Sequence, residues 1–225
     1  AKGYITLGAM KAGIAGFTLA ACAAGVALLV WALHAGALRY GGWELVAAGV
    51  ACIVFAWFYT AGPYPLAYHG LGDAAVILFF GLVPVGFTYY IQTGYWNWET
   101  TVTAVACGLV IDTLLMVNNF RDRDQDRISG KQTVVVRFGI KAGSIGYLLL
   151  GFIPCIGCLT LVIGGHIWAA ILPQLYLIPH IRTWNRMVEI HQGKALNEIL
   201  GKTARNIFLF GVLLSAGLLL PLLMQ

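Results

Sequence analysis

The chain has 225 residues, 60% of them hydrophobic and only 10% charged, with a formal net charge of +5 and a mean hydropathy of +0.81. An ordinary soluble domain carries about 25% charged residues, so this composition excludes one and points to a bilayer. The positive charge is expected to report membrane topology and gives no reason to expect a nucleic-acid partner.

In chain order, apolar runs near the roughly 20 residues that cross a bilayer as a helix fall at 13–37, 43–60, 73–94, 98–118, 143–165, 167–181 and 206–224. The expected fold class is all-α, a polytopic transmembrane helical bundle with seven predicted spans. The ten-residue alternation of barrel strands is absent. The first run ends near Ala35-Gly36-Ala37, a small-residue pattern like a signal-peptidase site, but at about 25 residues it is too long for a signal h-region and reads as a retained span. The sixth run is the shortest and contains Pro173 and Pro179, whose freed backbone groups need cover from neighbouring helices because lipid offers none. With no repeat, low-complexity tract or linker, residues 1–225 read as a single domain. Cys22, Cys52, Cys107, Cys155 and Cys158 all fall inside predicted spans, and Cys155-Ile156-Gly157-Cys158 reads as small-residue helix packing in preference to a metal or redox site.

Between the second and third runs lies "YTAGPYPLAYHGLGD" at 59–73. It holds no Lys or Arg, and its prolines and glycines favour a definite backbone shape. Tyr64 reads as part of an interfacial aromatic belt, whereas Tyr59 and Tyr68 offer π-electron density to a cationic intermediate. Within the fourth run stands Asp112. An intramembrane carboxylate is costly and faces a bundle interior or a wet cavity, so Asp112 is either protonated and hydrogen-bonded or lines a pocket.

The fourth run leads into "NNFRDRDQDRISGK" at 118–131, which concentrates three of the nine acidic and four of the fourteen basic residues. On a helix Asn119, Asp122 and Asp126 share a face and Asp124 points elsewhere. Two carboxylates and an amide suit a hard cation such as Mg²⁺, which is typically held by one or two carboxylates plus substrate phosphate oxygens. Arg121, Arg123, Arg127, Lys131 and Arg137 supply phosphate partners. The competing reading is a solvated loop whose acids and bases neutralise one another. Against it stands the 182–205 loop, with five basic residues and only Glu189 and Glu198, which satisfies topology without an Asp cluster.

Once seven spans are drawn, thirteen of the fourteen Lys and Arg residues fall on one face: Lys2, Lys11, Arg121, Arg123, Arg127, Lys131, Arg137, Lys141, Arg182, Arg186, Lys194, Lys202 and Arg205. Arg39 stands alone on the other. This split assigns the crowded face, with the loops at 61–72, 119–142 and 182–205, to the cytoplasm.

"KGYIT" at 2–6, the 59–73 loop followed by "FFGLVPVG" at 79–86, "NNFRDRDQDRISGKQTVVVRFG" at 118–139 and, more weakly, "LNEILGKTARN" at 196–206 together resemble the UbiA-type intramembrane prenyltransferase superfamily. The 118–139 block carries the superfamily resemblance, and the "GPYPLAYHGLGD" loop resembles the branch that prenylates 1,4-dihydroxy-2-naphthoate in menaquinone synthesis. The resemblance implies nine transmembrane helices and two Asp-rich motifs that hold a polyprenyl diphosphate through Mg²⁺ at the cytoplasmic side of the inner cell membrane. Asp122 and Asp126 match the metal-binding carboxylates of the second motif, with Asn119 as a catalytic companion and Arg121, Arg127, Lys131 and Arg137 as diphosphate-binding residues. Tyr59 joins the catalytic set as a cation stabiliser, and Tyr68 and Asp112 are candidates for the substrate pocket. The first motif, upstream of "KGYIT" in the family, is not in this chain, so an N-terminally incomplete domain lacking two helices, inactive alone, is the expectation.

The implied activity is transfer of a polyprenyl group to 1,4-dihydroxy-2-naphthoate with loss of diphosphate and CO₂, giving demethylmenaquinol. The alternatives are another acceptor of the superfamily (4-hydroxybenzoate, homogentisate, haem or a chlorophyllide), a polytopic transporter, or a non-catalytic scaffold. Single cysteines placed in the 119–142 segment should react with membrane-impermeant maleimide only from the cytoplasmic side. Labelling from outside would overturn the orientation.

Overall fold

The computed structural model describes residues 5–36 and 42–224. Arg39 and Lys2, which enter the charge split, and Ala37 and most of "KGYIT" lie outside the described residues. Among the described residues, apart from short 3₁₀ segments, eight helices occur: α1 Leu7–His34, α2 Trp43–Thr60, α3 Gly72–Thr93, α4 Trp98–Ile128, α5 Val134–Leu159, α6 Ile167–Ile171, α7 Leu177–Ile190 and α8 Leu196–Leu223. Six of them, α1 to α5 and α8, are long and apolar enough to cross a membrane, so the protein is an all-α, multi-pass membrane protein. The sixth predicted span is present in broken form. α6 passes through the 3₁₀ segment Leu172–Tyr176 into α7, because Pro173 has no N–H to continue an α-helical ladder. Gln174 repairs part of the break by donating from Nε2 to the carbonyls of Cys155 (2.8 Å) and Ala170 (2.9 Å).

Two of the segments expected to be loops are largely helical, which corrects the reading of 119–142 and 182–205. α4 continues through the charged block to Ile128 and α5 begins at Val134. α7 occupies 182–190 and α8 starts at Leu196, ten residues before the predicted apolar run. Apolar periodicity ends where a helix leaves the membrane, whereas backbone hydrogen bonding does not have to end there.

The chain divides into two units, Ala1–Trp57 and Phe58–Gln225. In the first, α1 is capped by Thr6, whose Oγ1 accepts from the Ala9 N–H at 3.2 Å, and none of its side chains is buried. In the second unit α4 is central, packing against α3, α5 and α8. Asn97 caps α4 by accepting from the Thr100 N–H at 2.8 Å, and Glu99 in the first turn complements the helix dipole.

Because lipid is as apolar as a leucine side chain, close backbone approach and interhelical hydrogen bonds hold such helices together. α3 and α4 meet at Gly81 and Gly108. A Cβ on Gly81 would stand 2.5 Å from the Ala104 carbonyl oxygen and 2.6 Å from the Gly108 Cα. On either side of this crossing α3 is widened into a π-helical stretch, Ile77–Gly86, which also accommodates Pro84. Polar pairs join the other helices: Tyr147 Oη and Thr203 Oγ1 at 3.0 Å, His180 Nε2 and the Leu148 carbonyl at 3.2 Å, and Asn206 Nδ2 donating to Thr183 Oγ1 at 2.9 Å. Cys155 and Cys158 are unpaired and packed in an apolar cluster with Val110, Leu161, Tyr176 and Phe210, in keeping with the packing role read from their spacing.

Gly81→Val is expected to destabilise the detergent-solubilised protein by roughly 1–3 kcal/mol through overpacking. Gly16→Val on α1, where nothing lies within 4 Å of the added Cβ, is the control. Equal thermal midpoints for the two variants would contradict the close α3–α4 crossing.

Candidate functional site

The end of α4 is built by its last six residues and the turn that follows. Gly130 adopts φ +79°, the left-handed conformation that closes a helix at little cost only in glycine. The Gly130 N–H donates to the Arg127 carbonyl at 3.2 Å and the Lys131 N–H to the Asp126 carbonyl at 2.9 Å, the paired bonds of a Schellman closure. This reversal carries the Lys131 side chain back over α4, where Nζ stands 3.0 Å from Asp126 Oδ1 and 5.9 Å from the centre of the Tyr68 ring. The hydrogen bond to Asp126 raises the Lys131 pKa above its ordinary value. Its charge is therefore present throughout the neutral range and is lost only as pH rises through that raised value.

One turn earlier, Arg121 grips Asp122 with two hydrogen bonds, Nε to Oδ1 and Nη2 to Oδ2, each 2.7 Å. Its third nitrogen, Nη1, donates to Asn197 Oδ1 at 2.9 Å, tying the start of α8 to the motif. Asn119 and Asp126 are buried and Asp124 is exposed, as the helical spacing predicts. Arg127 and Arg137 are exposed and, among the described residues, are in no ion pair. Arg123 differs from the sequence expectation of a phosphate partner. It is buried, its Nη1 donates to the carbonyls of Phe120 (2.7 Å) and His191 (3.1 Å), and its guanidinium lies 5.3 Å from the centre of the Phe120 ring. It fastens the α7–α8 turn to α4.

The 59–73 segment folds onto this end of α4. The Gln132 N–H donates to the Tyr68 carbonyl at 3.0 Å, and a Cβ on Gly70 would stand 2.8 Å from the Gln132 carbonyl oxygen and 3.4 Å from Arg137 Nη1. His69 is held by the Pro65 carbonyl, 2.8 Å from Nδ1, and stacks against Tyr64 at 3.5 Å, so Tyr64 has a ring partner within the protein. Tyr59, in the last turn of α2, places its hydroxyl beside Gly72, 3.5 Å from where a Cβ would stand, within electrostatic reach of Asp73, Lys131 and Asp112. Asp112 is buried on α4 and, among the described residues, its Oδ1 has no hydrogen-bond partner; the same is true of the buried Oδ1 of Asp73. Sequence reasoning passed over Asp73, although its place at the end of the quoted loop was a usable signal.

No group of three or more His, Cys, Asp or Glu side chains that could hold a metal occurs among the described residues. Asp122 and Asp126 nevertheless suit Mg²⁺ bound jointly with phosphate oxygens, because each carboxylate lies near the C-terminal end of α4 with a cation already against it. A divalent ion can replace those cations on the carboxylates, which frees Arg121 and Lys131 for a bound phosphate.

Gly130→Ala should weaken the closure by about 1–2 kcal/mol, the cost of a left-handed alanine. Faster amide hydrogen exchange at Lys131 would report the loss. Unchanged protection there would refute the role of the closure in placing Lys131.

Residues 6–197 match the model of the UbiA prenyltransferase family. The chain is 34% identical over 173 residues to the 1,4-dihydroxy-2-naphthoate octaprenyltransferase of Haemophilus influenzae, covering 76% of this chain and 56% of that protein. It is 31% identical over 229 residues to the Escherichia coli protein of the same name, covering 97% of this chain and 70% of that protein. It is 30% identical over 171 residues to the UbiA prenyltransferase domain-containing protein 1 of Danio rerio, covering 74% of this chain and 50% of that protein. The chain thus spans between half and 70% of these three relatives. With the family model matched across most of its length, the chain belongs to the UbiA prenyltransferase family.

Proposed function

We propose that the protein transfers a polyprenyl group from a polyprenyl diphosphate to 1,4-dihydroxy-2-naphthoate, releasing diphosphate and CO₂ and forming demethylmenaquinol. The observation that carries this reading is the pair of carboxylate–cation contacts at the end of α4, Asp122 with Arg121 and Asp126 with Lys131. They lie in the block that resembles the superfamily's second Asp-rich motif. The acceptor assignment rests on the names of the two bacterial relatives and on the 59–73 loop. A second reading keeps the chemistry and changes the acceptor to 4-hydroxybenzoate or homogentisate.

In this reading Asp122 and Asp126 hold Mg²⁺ together with the diphosphate, and Asn119 adds a neutral oxygen on the same helical face. Mg²⁺ supplies positive charge that neutralises the diphosphate as a leaving group. Lys131, Arg121, Arg127 and Arg137 bind the diphosphate oxygens, and their fixed charges stabilise the negative charge that develops as the allylic C–O bond breaks. Tyr59 and Tyr68 face the allylic cation with their rings. The apolar helices keep water from the cation and give the polyprenyl tail an apolar surround. The split of Lys and Arg between the two faces supports a site that opens to the cytoplasm.

In the native full-length protein assayed in membranes, Asp126→Ala and Asp122→Ala should each lower turnover by about 100-fold or more, the scale for losing a group that stabilises developing charge. Asp124→Ala should be mild. Lys131→Ala should raise the KM for the prenyl diphosphate, at about 1.5–3 kcal/mol for a lost charge-assisted contact, and leave that for the naphthoate unchanged. Near-wild-type turnover by Asp126→Ala would refute the reading, and faster prenylation of 4-hydroxybenzoate than of the naphthoate would favour the second acceptor.

A further inference from the structure

Asp73 and Asp112 come from different helices, α3 and α4, which pack closely around them: a Cβ on Gly72 would stand 3.4 Å from Leu115 Cδ2 and one on Gly108 2.8 Å from the Ile77 carbonyl oxygen, and the two carboxylates are within electrostatic reach of one another. Each leaves a buried Oδ1 without a hydrogen-bond partner, although a buried carboxylate oxygen ordinarily has one. Asp112 is only 1% exposed. The place of Asp73 in the first turn of α3 favours its charge through the helix dipole but leaves Oδ1 unsatisfied. A hydroxyl donor brought in by a ligand would satisfy both orphaned acceptors.

Position supports the same conclusion. Asp112 precedes Asn119 by seven residues on one helix, about 10 Å deeper at 1.5 Å per residue. That is the side on which an aromatic ring has to lie if the diphosphate is held at the end of α4. The Tyr59 hydroxyl is within electrostatic reach of Lys131, Asp73 and Asp112 alike.

We propose that Asp73 and Asp112 form the acceptor subsite, taking hydrogen bonds from a phenolic hydroxyl of the aromatic acceptor and receiving its proton during prenyl transfer. This rests on the prenyltransferase reading of the same site. The allylic C–O bond breaks with its electron pair leaving on the diphosphate, and the ring carbon that bears the carboxylate forms the new C–C bond with a ring π pair. The phenolic oxygen becomes a ketone as its O–H proton passes to the Asp73/Asp112 pair. Loss of CO₂ then returns the C–CO₂⁻ bonding pair to the ring, and the pair gives its proton back to the oxygen, restoring the aromatic hydroquinone. Every proton and electron pair is accounted for without an oxidant.

The experiment uses the native full-length protein with Asp73→Asn, Asp112→Asn and the double variant. It measures turnover and both KM values in membranes and, separately, equilibrium binding of 1,4-dihydroxy-2-naphthoate and of its 1-methoxy and 4-methoxy ethers to the purified protein. Each Asn variant is expected to weaken acceptor binding or turnover by at least about tenfold, as for a lost hydrogen bond to a charged group, with the KM for prenyl diphosphate unchanged. The wild type should bind the free hydroquinone more tightly than one of the ethers, and the double variant should lose that preference. Equal binding of ether and hydroquinone by wild type overturns the proposal, as do variants with wild-type acceptor constants. Asp73→Glu, which retains a carboxylate, separates chemistry from folding: if it is as impaired as Asp73→Asn in a folded protein, the carboxylate role falls. Absence of prenyl transfer by wild type refutes the activity, whereas the hydroquinone-over-ether preference still decides the subsite.

Discussion

A carboxylate carried by an apolar bundle needs a cation or a hydrogen-bond donor against it, because an isolated buried charge is too costly to keep. The rest of the site is arranged around that constraint. α4 begins as a membrane helix and ends as a charged one, and Asp122 and Asp126 are each met by a cation, from the adjacent residue or from the turn just beyond. Arg121 reaches Asp122 from the adjacent position, whereas Lys131 reaches Asp126 only because Gly130 reverses the chain. The helix terminus and the ion pair are thus one device. In the proposed function these same cations bind the diphosphate once the carboxylates are engaged otherwise.

Rigidity at this end comes from contacts other than the two carboxylate–cation pairs. Arg123 spends its charge on two backbone carbonyls and an aromatic face, and Arg121 also binds Asn197. The start of α8 and the turn before it are therefore fixed to α4. The cluster beneath, with Phe120, Val117, Tyr147, Met187, Leu196 and Ile199, packs α4, α5, α7 and α8 where the polar block begins. The contact between Gly81 and Gly108 does the same for α3, and α3 carries Asp73 at its first turn. The spacing between carboxylates on different helices depends on that crossing.

Much of this was legible in the chain itself. Mean hydropathy and the lengths of the apolar runs determined a polytopic helical bundle, since a bilayer admits few other solutions. The 3.6-residue period put Asn119, Asp122 and Asp126 on one side of α4 and Asp124 on another, and "SGK" after the motif is a local signal for the closure that places Lys131. Such features depend on residues within a few positions of one another, so the sequence carries them directly. The helical extension of α4 through the charged block, and of α8 back to Leu196, was missed because hydropathy reports the membrane boundary and not the end of the hydrogen-bonded helix.

Tertiary structure alone decided which arginine binds a carboxylate and which is built into the framework. Arg121 and Arg123 are two residues apart with the same side chain, and the His191 carbonyl and the Phe120 ring that claim Arg123 are brought to it by packing. Packing also brought Asp73 near Asp112, and Tyr59 within electrostatic reach of both and of Lys131. Asp112 alone reads as a costly residue in a span and Asp73 as an acid at a helix start. Their juxtaposition depends on the α3–α4 crossing, a contact between backbones far apart in sequence, which periodicity and composition do not encode.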